Sequence, residues 1–236
     1  MKTHKGYSSE KLSINRRMVI ASISQSKKSG IHCVTEMNVT QPRSMIRRVK
    51  DQSGLKISFT AYLTKCLAAT LEKHPDLNSF IKGRRIIYLK DITISVLVER
   101  EVDGERFPEP VGIEAAQEKK LIEIHDQIRA AQKINTKRMG DLADAAWIRF
   151  IPLFLMKSFI KLADRNVKMA KKYGKVAITA VGMFSKSATW FIPHGSATVL
   201  LTVGSISKKP VEGKEGMELD EYLHLTATFD HEIVDG

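Results

Sequence analysis

The hydrophobic and polar positions of the chain alternate most clearly near its end. There Tyr222-Leu223-His224-Leu225-Thr226-Ala227-Thr228-Phe229 partly alternates, as a strand with one buried face does. Upstream, the pattern predicts helices alternating with strands. Thr40-Gln41-Pro42 opens a helix, with a cap residue nearby and proline early in the first turn; Met45, Ile46 and Val49 follow at helical spacing, and Gly54 ends it. Phe59 to Leu71 is apolar over much of its circumference, which predicts a core helix. Ile86-Ile87-Tyr88 and Ile92 to Val98 read as strands, the second rich in β-branched residues and ending in charge. After a turn at Val102-Asp103-Gly104-Glu105, residues Ala115 to Lys133 place Leu121, Ile124, Ile128 and Ala131 at helical spacing. No repeat or low-complexity tract interrupts this order, which is that of a mixed α/β domain.

Composition agrees with one folded unit. A chain of 236 residues with 43% hydrophobic content can bury a sizeable core. Cys33 and Cys66 fall inside a predicted strand and a predicted helix without metal-ligand spacing, so they are expected as buried free thiols in a reducing, cytoplasmic setting. No apolar segment of the kind found in secretory signals follows Met1. The net charge of +12 admits nucleic acid, an anionic membrane or a phosphate-bearing ligand as partner. Its basic pairs are scattered, with few aromatics between them and no nucleic-acid-binding motif, so no nucleic-acid partner is expected and most of these side chains are assigned to solvated faces.

The candidate chemistry lies where the last strand ends, in Asp230-His231-Glu232-Ile233-Val234-Asp235-Gly236. A histidine at a strand-to-turn junction can lock one ring nitrogen onto a nearby carbonyl and keep the other as a base. Asp235 can bond its own backbone or pair with an arginine, and Gly236 tolerates the positive φ that such a turn often needs. By itself the segment is equally well read as a hairpin turn that contains a histidine.

The order of motifs along the rest of the chain resembles the catalytic domain of dihydrolipoamide acyltransferases, which share the chloramphenicol acetyltransferase fold. The resemblance starts at Asn15-Arg16-Arg17-Met18-Val19-Ile20-Ala21 and continues through Ile31 to Thr40. It includes the helix at Phe59 to Ala69 with its following His74-Pro75-Asp76-Leu77-Asn78 turn, and then Ala177-Ile178-Thr179-Ala180-Val181-Gly182-Met183-Phe184. It implies an α/β fold, a two-layer mixed sheet with flanking helices, over residues 15–236, after a polar lead at 1–14.

The resemblance also assigns roles. His231 becomes the general base that takes a proton from an attacking thiol or hydroxyl, and Thr179, in the place of the family's serine, becomes the donor to the oxyanion. Asp235 is read mainly as architecture, paired with Arg16 or Arg17, and Asn78 as a turn-capping amide beside the site. The acyl carrier implied is coenzyme A, as a substrate, and no metal is called for. The family's histidine and serine come from neighbouring subunits, so a homotrimer is expected. His32, His74, His125 and His194 are given structural or surface roles.

Three departures limit the comparison. Only the short polar lead precedes Asn15, so no covalently bound lipoyl group is expected in this chain, and any lipoyl partner acts in trans. Glu232 and Ala180 replace the family's arginine and asparagine, and the sequence stops at Gly236, where family members continue into a helix. The apolar stretch Ala145 to Ile160, part of a variable insertion near 140–172, has no counterpart, and Phe107 to Ile113 is a poor match to a family segment that helps form the substrate channel. The stretch is too short and too charged to cross a bilayer. Burial in the core or in an oligomer interface, a lid over an acyl pocket, and a membrane-surface helix all remain open for it, though a membrane partner is not expected. Two functions follow: an acyltransferase between coenzyme A and a thiol or hydroxyl acceptor, lipoyl group or small molecule, or a non-catalytic scaffold on the same fold.

Overall fold

A computed structural model describes residues 2–4, 6–9, 12–25, 29–102, 105–133, 151–182, 185, 187–213 and 216–234. Strands β1 (Lys2–His4) and β2 (Tyr7–Ser9) make a short antiparallel ribbon ahead of helix α1 (Ile14–Ile23). Strand β3 (Gly30–Asn38) leads into α2 (Thr40–Ser53). Gly54 closes α2 at φ 70°, in the left-handed region where a side chain would be strained. Helix α3 (Phe59–Lys73) is capped by the Ser58 hydroxyl, which accepts from the Ala61 amide. The hairpin β4 (Ser79–Lys82) and β5 (Arg85–Tyr88) stands apart as its own two-stranded sheet.

The remaining strands are β6 (Ile94–Val102), β7 (Glu105–Ile113), β8 (Val176–Ala180), β9 (Val199–Gly213) and β10 (Gly216–Asp230). With β3 they form a six-stranded mixed sheet in the order β3-β10-β9-β8-β6-β7. Strands β6, β8 and β9 run parallel, while β10 is antiparallel to both β3 and β9. Helices α4 (Leu121–Lys133), α5 (Leu153–Asp164) and α6 (Val167–Tyr173) lie along the chain between β7 and β8.

Period-two alternation divides the sheet into two unlike faces. On one face Ile94, Val96, Ile178, Val203, Leu223 and Leu225 pack with Ala61, Leu71, Ile124 and Ile128 of α3 and α4 to form the main core. The other face carries Thr202, His224 and Thr226, all buried. The chain from 187 to 197 lies across it: the Thr189 amide donates to Ser205 Oγ, and the Trp190 indole donates to the Thr35 carbonyl.

Several expectations need correction. The helix expected from Ala115 starts at Leu121, because Ala115 takes φ 47° and the Ala116 amide donates to the Ile92 carbonyl, which holds the preceding residues as a turn. Phe107 to Ile113, to which the sequence pattern assigned no element, belongs to strand β7 despite Pro108 and Pro110. It is an edge strand, and proline's missing N–H is tolerated at an edge. Cys33 and Cys66 are exposed rather than buried. Cys33 sits on the opposite edge strand, and Cys66 lies on the outer side of α3. Of the apolar insertion, residues 145–150 lie outside the described residues, and the described helix begins after Pro152.

Candidate active site

Strand β10 ends at Asp230, and the turn that follows is built from that residue. Its amide donates to the Thr198 carbonyl, and its own carbonyl accepts from the amides of Ile233 and Val234. Its Oδ1 accepts the Glu232 amide at 3.2 Å. A buried aspartate therefore shapes the loop that presents His231 to solvent. The His231 amide donates to the Ser29 carbonyl at 2.9 Å, and ring Nδ1 lies 3.1 Å from the Val234 carbonyl oxygen. A carbonyl only accepts, so Nδ1 carries the proton and the lone pair of the neutral ring resides on Nε2.

Beside this loop a cleft of about 140 Å³ opens between the ends of β3 and β10 and the 192–197 segment, with His32, His194, Thr228 and Asp230 among its walls. His32 Nδ1 meets Thr228 Oγ1 at 2.8 Å, which ties the two strands together below His231. Among the described residues no group of His, Cys, Asp or Glu side chains is placed to hold a metal ion.

Thr179 lies near the end of β8 and is partly exposed. Register places it beside Thr202, and Thr202 beside Thr226. Three threonines thus cross the polar face in a row. The hydroxyls of Thr202 and Thr226 are buried without a hydrogen-bond partner among the described residues. Just after Thr179 the chain passes so close to β9 that a Cβ on Gly182 would lie 1.9 Å from the Gly204 carbonyl oxygen, so only glycine fits there.

One chain does not bring Thr179 and His231 together. Thr226 is level with Thr179 two strands away, and His231 is five residues farther along. At about 3.4 Å per residue and about 4.8 Å per strand, their separation is roughly 20 Å.

Asn78 is buried, and its Nδ2 donates to the carbonyls of Leu89 at 2.9 Å and Asp91 at 3.1 Å. Arg17 donates from Nη2 to the Ile151 carbonyl, and the Arg16 amide donates to Ser13 Oγ at the start of α1. Asp235 and Gly236 lie outside the described residues. His125 joins the helices, with Nδ1 accepting the Ser58 amide at 3.0 Å. Burial lowers its pKa, Arg129 adds to that effect and Asp126 opposes it.

A second polar constellation was not anticipated from the sequence. His224, fully buried on β10, has Nε2 2.9 Å from Ser207 Oγ and Nδ1 3.3 Å from Glu36 Oε1, with the Trp190 ring against its edge. Lys209 pairs with the same glutamate, and its hydrogen bond lowers the Glu36 pKa against the upward push of desolvation. The visible signal was His224 two positions before Thr226 on the polar face of the strand. Its partners become apparent only when β3 and β9 are paired to β10.

The family model for the 2-oxoacid dehydrogenases acyltransferase (catalytic domain) matches residues 4–144 and 164–236. The chain belongs to this family. Among its relatives, the dihydrolipoyllysine-residue succinyltransferase component of the 2-oxoglutarate dehydrogenase complex from Staphylococcus saprophyticus is 27% identical over 190 residues, 80% of this chain and 38% of that protein. The chain thus spans well under half the length of that relative. The dihydrolipoamide acetyltransferase of Azotobacter vinelandii, solved to examine a serine, a histidine and an asparagine in its catalytic mechanism, superposes with a TM-score of 0.67 at 18% identity, covering 98% of this chain and 87% of that one. A chloramphenicol acetyltransferase superposes with a TM-score of 0.52 at 14% identity, covering 96% of this chain and 89% of that one. The mixed sheet with flanking helices is therefore the chloramphenicol acetyltransferase-like fold that the motif order implied.

Proposed function

We propose that this protein is an acyltransferase that moves an acyl group between coenzyme A and a thiol or hydroxyl acceptor, with His231 as general base in a homotrimer. The observation that carries the reading is the ring lock at the end of β10, which turns Nε2 into the proton acceptor. In the forward direction Nε2 takes the proton of the acceptor's S–H or O–H. The resulting thiolate or alkoxide adds to the thioester carbonyl, and the tetrahedral oxyanion collapses as the coenzyme A thiolate leaves and recovers the proton from His231. The Thr179 hydroxyl of a neighbouring subunit donates to that oxyanion.

Spacing supports these assignments. In the Azotobacter vinelandii enzyme the serine and the asparagine stand at the same separations from the histidine as Thr179 and Asp235 do from His231 here. The roughly 20 Å between Thr179 and His231 within one chain favours a site assembled from two subunits. The names of the relatives, succinyl and acetyl transferases acting on dihydrolipoyl groups, favour a lipoyl group on another protein as acceptor, with a small molecule as the other candidate.

A thiol-release assay with acetyl-coenzyme A, succinyl-coenzyme A and longer acyl donors, each with dihydrolipoamide, tests the reading beside His231→Ala. Acceptor-dependent release by the wild type that is lost in the variant is expected. Identical background for both proteins with every donor would favour the scaffold alternative, to which Glu232 and Ala180 lend some support.

A further inference from the structure

Helix α5 is apolar on the side that faces solvent. Its inner side is accounted for, since Leu153, Met156 and Ile160 pack on Ile14, Met18 and Ala21, all but Met156 and Ala21 only partly buried. The outer arc carries Phe154, Leu155, Phe159 and Leu162, with Phe154 66% and Leu162 71% exposed. Leu155, Phe159 and Leu162 follow at i, i+4 and i+7 and make one stripe. Ser158, the polar residue on the same arc, turns its hydroxyl back to the Phe154 carbonyl at 3.1 Å.

Charge specifies what such a face can meet. Residues 151–175 contain seven basic side chains and one acidic one, so this short segment supplies half of the chain's net charge of +12. Lys161, Arg165, Lys168 and Lys171 are exposed along α5 and α6. The lone acid, Asp164, is occupied by Lys175 at 2.7 Å and Ser196 at 2.8 Å, so it does not offset the exposed cations. An isologous contact between two copies would bring these basic flanks against each other, which opposes a two-fold contact through this face. An anionic bilayer supplies both complements at once: headgroup phosphates for the lysines and arginine, and an acyl boundary for the phenylalanines and leucines. Among the described residues no helix is long and apolar enough to cross a membrane, so α5 would lie in the plane of the surface.

We propose that α5 docks the protein reversibly on an anionic lipid surface, with Phe154, Leu155, Phe159 and Leu162 entering the headgroup boundary and the exposed cations of α5 and α6 contacting phosphate. The whole chain is sedimented with vesicles of phosphatidylcholine alone and of equal parts phosphatidylcholine and phosphatidylglycerol. The wild type is expected to bind the mixed vesicles at least about tenfold more tightly, with a gain that added salt removes. The double variant Phe159→Ser with Leu162→Ser is expected to lose about tenfold or more in that affinity, with its circular dichroism and elution volume unchanged. Lys161→Glu with Lys168→Glu is expected to lose about 20-fold or more on the mixed vesicles and little on phosphatidylcholine. Failure to sediment with either vesicle, or undiminished binding by the apolar variant, would overturn the proposal. So would a smaller particle in the lipid-free apolar variant, because the face would then be a contact between protein copies.

Discussion

His231 is held at its backbone by Ser29 and at its ring by Val234, so the proposed chemistry depends on one atom, Nε2. His231→Ala removes that atom from an exposed loop and leaves the core untouched. A fall of about 10²–10⁴ in acyl transfer is expected, with an unchanged thermal midpoint, measured by thiol release and by a melt. Thr179 should behave differently. Thr179→Ala is expected to lower kcat by about 10²–10³ with KM little changed, and Thr179→Ser to restore most of it, since the serine still presents a hydroxyl to the oxyanion. A KM effect as large as the kcat effect, or no rescue by serine, would remove Thr179 from that role. Both residues stood out in the sequence because each sits in a local motif. The Glu36, His224 and Ser207 arrangement did not, since its members come from three strands and depend on a register that includes a bulge between Leu223 and Leu225.

Elements were legible where a local pattern decided them and illegible where a tertiary contact did. Helix α2 follows from its periodicity and the Gly54 terminator, although no side chain caps it, and α3 from its apolar circumference, while the start of α4 is set by Ala116 bonding to the remote Ile92 carbonyl. Strand β7 was hidden by two prolines that only an edge position excuses. The junction of α2 with β10 is also tertiary. The Glu221 carboxylate accepts from Arg43 at 2.8 Å and Arg47 at 3.1 Å, and its amide donates to Thr40 Oγ1. Burial pushes the Glu221 pKa up, but the hydrogen bonds and charges of the two arginines together carry it below its ordinary value. A carboxyl whose folded pKa is depressed stabilises the fold fully above its unfolded value, and that contribution is lost as pH falls through the folded value. Glu221→Gln is therefore expected to lower stability by about 1–2 kcal/mol at neutral pH. In denaturant melts at stepwise lower pH, the gap to wild type should close below the ordinary glutamate range. A gap that persists unchanged in acid would mean that shape, not charge, holds the junction.

At the scale of the whole molecule, a fold that separates its two candidate catalytic residues by roughly 20 Å must either abandon one of them or share them between copies. The exposed edge strand β3 suits the second course, since Ile31, Val34 and Met37 are open along it beside the loop that carries His231. Sharing has a consequence that no single-chain site has. His231→Ala chains still carry Thr179, and Thr179→Ala chains still carry His231, so each is inactive alone while a mixed trimer contains some interfaces at which an intact histidine faces an intact threonine. If the two variants, co-expressed in equal amounts, assemble at random, each interface is intact with a chance of about one in four, and the mixture should recover about a quarter of wild-type acyl transfer. The comparison to make is with the same two proteins purified separately and mixed without exchange, which should show only the sum of their residual rates. Recovery confined to the co-expressed sample would place the site between subunits. Its absence, with mixed trimers demonstrated by mass, would mean that His231 and Thr179 do not serve one site.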